Sequence, residues 1–241
     1  MSIPSIISRG APNAVVYDLS VPNQVTITLP AGSTWTSGLH WHETHTEYLR
    51  LVQGKVRVRL GDKTKVVSKS AGEVDAEIKI DRNVWHEWSR ADGAEDDGED
   101  VVVMERTDPA DGAKAIFFWN LNGVILKAQR AGKPYFLPAS VFSAVLDSWV
   151  SLNLFAIFGT LDNIPVLLGV RDSVLRSGSV TVDSWTDRLL LWAERSWAHV
   201  MLKLAMAVAW LLRAEPVRKE FTPLREYMDW TSKTKNKRKT P

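Results

Sequence analysis

The chain contains no cysteine, and that absence closes several routes at once. Thiolate nucleophiles, cysteine-ligated zinc and disulfides are excluded, so any bound metal must rest on histidine and carboxylate. Net charge is nearly absent too. The formal charge is +2 over 241 residues, and the excess is local, because Lys233, Lys235, Lys237, Arg238 and Lys239 crowd the last stretch. The rest of the chain holds 25 basic against 28 acidic residues. Such a surface offers no footprint for nucleic acid, so no nucleic-acid partner is expected, and the basic tail reads as solvated, disordered chain. Met1 to Gly10 lacks a basic region followed by an apolar run, so it does not read as a secretory signal, and a cytoplasmic protein is expected.

What is present is enough apolar sequence, 45% of residues, for one good-sized core or a core with an appendage. From about residue 14 to residue 119, short apolar or alternating runs are divided by turn residues, the pattern of a β-sandwich or barrel. The runs are Ala14 to Leu19, Gln24 to Leu29, Glu47 to Val52, Lys55 to Leu60, Lys65 to Ser68, Val74 to Ile80, Val84 to Ser89, Val101 to Glu105 and Ala115 to Trp119. Lys55 to Leu60 alternates strictly, with Val56, Val58 and Leu60 on one face and Lys55, Arg57 and Arg59 on a wet one. Ala91 to Asp100, rich in acid and glycine, reads as an exposed hairpin loop, without the spacing of an EF-hand calcium loop.

The character changes after residue 120. Val141 to Leu161 has Asp147 as its only formal charge, and Pro165 after Asp162-Asn163-Ile164 marks a helix stop. A second helical run extends from about Trp185 to Arg213, strongly apolar from Trp197 to Leu212 apart from His199 and Lys203. Two readings compete. The helices pack on each other, on the barrel or across a homodimer, or 141–161 and 197–212 associate with the cytosolic side of a membrane, anchored by Trp149, Trp185, Trp192, Trp197 and Trp210. Glu194, Arg195, His199 and Lys203 weigh against membrane depth. The expected division is a barrel over 1–120, a linker over 121–135, an apolar helical extension over 136–215 and a basic tail over 216–241.

The densest chemistry lies in His40-Trp41-His42-Glu43-Thr44-His45-Thr46-Glu47, with Gly54 seven residues later. On a strand, His40 and His42 share one face because side chains alternate. A turn through Glu43 to Thr46 can return Glu47 beside them, adding an oxygen ligand to two nitrogens. Single histidines are usually ordinary surface or core residues, but this spacing argues for a metal site. The His-Glu-x-His order differs from the helical His-Glu-x-x-His of metalloproteases.

The run from His40 to Gly54 resembles the first conserved motif of the cupin superfamily. A second-motif candidate is Asp81-Arg82-Asn83-Val84-Trp85-His86-Glu87-Trp88, where Asp81, Asn83 and Arg90 stand at the usual Pro, Gly and Asn places. Asn83 suits a glycine place because Asn enters the left-handed region readily. The resemblance covers roughly residues 14 to 119 and is most similar to short, single-domain fungal types with hydrophobic C-terminal extensions. It implies a mainly β fold, a small cupin-type jelly-roll barrel, here followed by a C-terminal α-helical hairpin. It also implies one divalent metal ion held by His40, His42, Glu47 and His86. Glu43 and His45 are then bystanders, facing solvent or sitting at the barrel mouth.

Three nitrogens and one carboxylate suit Fe, Mn, Ni, Cu or Zn. Trp88 shares a strand face with His86, and Leu49 and Leu51 share one with Glu47, so these three are candidates to line the pocket. The expected function is a metal-dependent enzyme of oxygenase, decarboxylase or isomerase/cyclase type, acting on an oxygenated organic metabolite bound in the barrel. The alternative is a non-catalytic metabolite-binding module anchored to a membrane or partner by its helices.

Overall fold

The computed structural model describes residues 3–69, 76–91, 98–136, 138–177 and 184–237. Two antiparallel sheets share one long strand. The first sheet runs in the order β1 (Ile6–Arg9), β2 (Val15–Asp18), β3 (Gln24–Leu29), β9 (Val101–Asp108), the first half of β5 (Thr46–Leu60) and β7 (Ala76–Ile80). The second contains β6 (Lys63–Lys69), the other half of β5, β8 (His86–Arg90), β4 (His40–Trp41) and β10 (Ile164–Pro165).

Gly54 is where β5 passes between the sheets. The register with β9 slips between Leu51 and Gln53, and Gly54 follows with φ +82°. A Cβ there would stand 2.8 Å from the Asp100 carbonyl oxygen. Glycine is required by both the backbone conformation and the close approach.

Alternation places the core. Val15 and Tyr17, Val25, Ile27 and Leu29, Leu49 and Leu51, Val56 and Val58, and Val101 and Val103 all point inward and are buried. Glu47, His86, Arg90 and Glu105 occupy inward places in the same rhythm and are also buried. Arg90 donates to the Leu29 carbonyl. The expected strands at Gln24 to Leu29, Lys65 to Ser68, Val84 to Ser89 and Val101 to Glu105 are present, while Glu47 to Val52 and Lys55 to Leu60 are one continuous strand. Residues 70–75 and 92–97 lie outside the described residues, and with them the start of the expected strand at Val74 and most of the acidic loop.

Among the described residues, five helices follow the barrel: α1 (Ala113–Gln129), α2 (Ala139–Thr160), α3 (Val170–Ser177), α4 (Ser184–Leu211) and α5 (Leu224–Lys237). Ala115 to Trp119 is therefore helix rather than a ninth strand. The apolar run carries no strand alternation because α1 is buried on several sides, between the barrel and α2. The same helix runs on to Gln129 through much of the expected linker. Within the expected tail, α5 is helical and held to the rest of the protein, because Tyr227 and Trp230 pack on the main core and Lys233 donates to the Asp111 carbonyl.

The two long apolar runs are α2 and α4, packed as a hairpin. Three polar residues of α4 face the barrel and its connections, while Arg188 and Lys203 are exposed. Glu194 is buried and accepts from the Leu167 and Leu168 amides, Arg195 donates to the Asn83 carbonyl, and His199 pairs with Glu43 at 2.9 Å. Among the described residues, α2 alone is long and apolar enough to cross a membrane. Much of the hairpin's outer face is apolar and exposed, with Trp185 at 60%, Trp192 at 67% and Trp210 at 78% exposure.

Candidate metal centre

The four residues anticipated from the two motifs converge inside the barrel. His40 lies on β4 opposite His86 on β8, His42 follows β4, and Glu47 sits at the start of β5. One ligand atom from each lies within 4.8 Å of all the others. The ring centroids stand 4.2 Å apart for His40 and His86, 5.0 Å for His40 and His42, and 5.3 Å for His42 and His86. Glu47 Oε2 lies 2.7 Å from His42 Nε2 and 3.8 Å from His86 Nε2.

The backbone sets the orientation of all three imidazoles. His40 Nδ1 lies 2.7 Å from the Gly38 carbonyl, His86 Nδ1 lies 2.9 Å from the Val84 carbonyl, and His42 Nδ1 meets the carbonyl of Asp162. A carbonyl only accepts, so each Nδ1 carries a proton and each Nε2 is turned to the centre, where a metal would take its lone pair. That is the arrangement that presents neutral imidazoles to a metal. His86 Nε2 is buried without a hydrogen-bond partner, an orphaned lone pair that a cation would satisfy.

Electrostatics point the same way. Burial, with His86 and His42 alongside, holds His40 well below the ordinary histidine range. Burial alone would raise Glu47, but the Lys114 ammonium and the His42 imidazole against it outweigh that and hold the carboxyl well below its usual range. Neutral imidazole and ionised carboxylate are the forms that bind metal. Lys114 of α1 donates to Glu47 Oε2 at 3.1 Å and to Glu105 Oε2 at 2.6 Å, and Trp88 Nε1 donates to Glu105 Oε1 at 2.7 Å.

A cavity of about 170 Å³ opens beside the cluster. Its polar lining includes Arg9, Tyr17, Thr36, Ser37, Glu105 and Lys114 together with His40, His42 and Glu47. Its apolar wall is made by Phe117, Phe118, Leu121 and Ile125 of α1 with Phe158 and Leu161 from α2 and its end. Trp88, Leu49 and Leu51 are not among the lining residues. They are buried in the main core, because α1, misread as strand, supplies the wall that they were expected to form.

His45 is a bystander to the cluster but is not solvent-facing. It is buried on the cavity lining, its Nδ1 2.7 Å from Asp162 and its Nε2 3.5 Å from Asp111. The Asp111 and Asp162 carboxylates beside it raise it to about 9. Burial opposes ionisation of Asp162, yet bonds from His45, Thr44 and the Glu43 amide bring it down to about 2. Glu43 accepts from Trp41 Nε1 at 3.3 Å and pairs with His199. Asn83 has φ +65°, the left-handed place expected of it, and its amide donates to the His42 carbonyl.

Asp162, Lys114, Glu105 and Arg9 did not emerge from the sequence. Glu105 had a readable signal, as the one acid at an inward place of β9 after Val101 and Val103. Asp162 had none, because its role depends on the chain returning to the β4–β5 turn after 120 residues.

Two antiparallel sheets thus enclose the His40-to-Gly54 run together with His86. This double-sheet barrel is what the cupin resemblance implied. Among solved structures it is similar to the capsular polysaccharide assembling protein CapF of Staphylococcus aureus, at 17% identity and TM-score 0.32 over 43% of this chain and 30% of that one. It is likewise similar to a predicted oxalate decarboxylase of Thermotoga maritima, at 18% identity and TM-score 0.33 over 44% of this chain and 97% of that one. A cupin 2 conserved barrel domain protein of Rhodopseudomonas palustris matches at 16% identity and TM-score 0.31, over 42% of this chain and 68% of that one. The match spans under a third of the CapF chain. No protein-family model and no curated protein matches the sequence.

Proposed function

We propose that this cupin barrel is a metal-dependent enzyme, of oxygenase, decarboxylase or isomerase/cyclase type, acting on a small oxygenated organic molecule. The observation that carries the reading is the set of three imidazoles, each tied through Nδ1 to a backbone carbonyl, whose Nε2 atoms meet Glu47 beside a cavity. His40, His42, Glu47 and His86 would hold one divalent ion, and the donor set suits Fe, Mn, Ni, Cu or Zn. When bound, such an ion supplies Lewis-acid or redox chemistry at a coordination position open to the cavity. The chain's own part is to fix the imidazoles, keep Glu47 ionised through Lys114, and exclude water with the phenylalanine wall of α1 and α2.

The test is metal content of purified protein beside His42→Ala. About one equivalent per chain is expected in the wild type and a tenth or less in the variant, with the wild type alone gaining thermal stability on metal addition. Equal metal content and identical melting of the two proteins would falsify the reading.

A second reading, a metabolite-binding module held on a membrane surface by its helices, draws on one feature, the exposed tryptophans of the α2–α4 hairpin. Tryptophan favours the boundary between lipid and water.

A further inference from the structure

One charged group in the cavity has no counterpart. Arg9 comes from β1, far in sequence from the metal motif, and reaches the same cavity as His40, His42 and Glu47. It is held in place by a short relay. Arg9 Nη2 donates to Tyr17 Oη at 2.8 Å, and Trp35 Nε1 donates to the same oxygen at 2.9 Å. The guanidinium stands 5.5 Å from the Tyr17 ring centroid. Arg9 Nε is buried with no hydrogen-bond partner, and among the described residues no carboxylate pairs with Arg9. An unpaired donor on a permanent cation, buried at a cavity wall, is costly unless a ligand meets it.

Charge balance points to the sign of that ligand. Within the cavity lining, Arg9, Lys114 and His45 face Glu47 and Glu105; both of these carboxylates contact Lys114, and His45 has Asp162 and Asp111 of its own. A divalent ion at the four-residue cluster would leave the enclosed space positive. A low-dielectric site favours an anion there. Shape and size narrow the choice. A guanidinium fork matches the planar oxygens of a carboxylate. The cavity of about 170 Å³ suits a body of about one six-membered ring, since a void of roughly 150 Å³ accepts benzene. The wall of Phe117, Phe118, Leu121 and Phe158 favours an apolar or aromatic body over a sugar phosphate.

We infer that Arg9 is a substrate-binding residue, and that the cavity takes a small carboxylic acid with an apolar or aromatic body, its carboxylate on the Arg9 guanidinium. Tyr17 positions that guanidinium, and a second oxygen of the ligand is left for the metal end. This deepens the proposed function and rests on it for the metal end alone, because the Arg9 contact stands without any metal.

Calorimetric titration of the full chain, metal-free and metal-loaded, with benzoate, 3-hydroxybenzoate and the neutral benzamide tests it. Both carboxylates are expected to bind and benzamide to bind about tenfold more weakly or worse. Arg9→Gln should lose about tenfold or more in benzoate affinity while keeping the wild-type metal content. Arg9→Lys, which keeps the charge without the fork, should fall between them and serves if Arg9→Gln does not fold. Benzoate affinity unchanged in the Arg9 variants, benzamide binding as tightly as benzoate, or no binding of either acid would each overturn the inference. Arg9-dependent benzoate binding in a protein that holds no metal would leave this inference standing and remove the metal reading. Full metal content with Arg9-indifferent binding would do the reverse.

Discussion

Tyr17 shows how one buried side chain carries a pH dependence of its own. Burial is the largest cause raising its phenol to about 12, although Arg9 and Trp35 pull the other way. The unfolded chain ionises near pH 10. Between about pH 10 and 12 the folded protein therefore keeps a proton that the unfolded chain has released, so stability falls as pH rises through that window. The loss is about 3 kcal/mol in all, and the group contributes no slope below it. Denaturant titration at pH 9 to 11.5 should show this decline in the wild type and a shallower one in Tyr17→Phe. Parallel declines would reject the assignment. Arg9 and Lys114 make a related point at this scale, since nothing in their local sequence distinguishes them from surface bases. Each is functional only because a carboxylate or a cavity is brought to it from elsewhere in the chain.

Among the elements, β5 and the end of α2 do most to shape the centre. β5 serves both sheets only because it can turn at Gly54, which the motif made visible as a glycine at fixed spacing. Gly54→Ala adds a methyl into the Asp100 carbonyl at a backbone angle that disfavours it, and should cost about 2 kcal/mol or more in chemical denaturation. An effect below about 0.5 kcal/mol would mean that the crossover is not constrained there. The end of α2 acts on the motif directly. The Asp162 carboxylate accepts from the Glu43, Thr44 and His45 amides and from the Thr44 hydroxyl, while its carbonyl orients His42. Asp162→Ala is expected to weaken metal binding about 10- to 100-fold. Asp162→Asn, which tolerates the residue's φ of +55°, should recover part of that loss. Competition with a chelator reads both, and equal affinity in all three proteins would strip Asp162 of its positioning role. Strand alternation had made most of the barrel legible, whereas α1 was misread because a helix buried on several sides leaves no periodic mark.

For the whole molecule, the open question of the helices becomes one of faces. Glu194, Arg195 and His199, which argued against membrane depth, are engaged by the barrel and its connections, whereas Lys203 is exposed, and much of the hairpin's outward face is apolar. Flotation with phosphatidylcholine vesicles is expected to carry the protein upward, and Trp192→Ser with Trp210→Ser to reduce the floated fraction at least severalfold, as tryptophan anchors interfacial binding. Protein that stays at the bottom of the gradient and elutes as a dimer would instead assign the face to a second copy of the chain.

The amino-acid order alone determined the strands with one wet face, the long apolar helices, and the spacing of His40, His42, Glu47 and Gly54, because these are properties of neighbours a few residues apart. It also determined that a metal could be held only by nitrogen and oxygen, since no sulfur ligand from cysteine exists. The tertiary structure decided what completes the centre. Lys114 and Asp162 meet Glu47 and His42 across 67 and 120 residues, and Arg9 joins the same cavity from the first strand. Such meetings depend on how barrel and helices close on each other, and no local pattern encodes them.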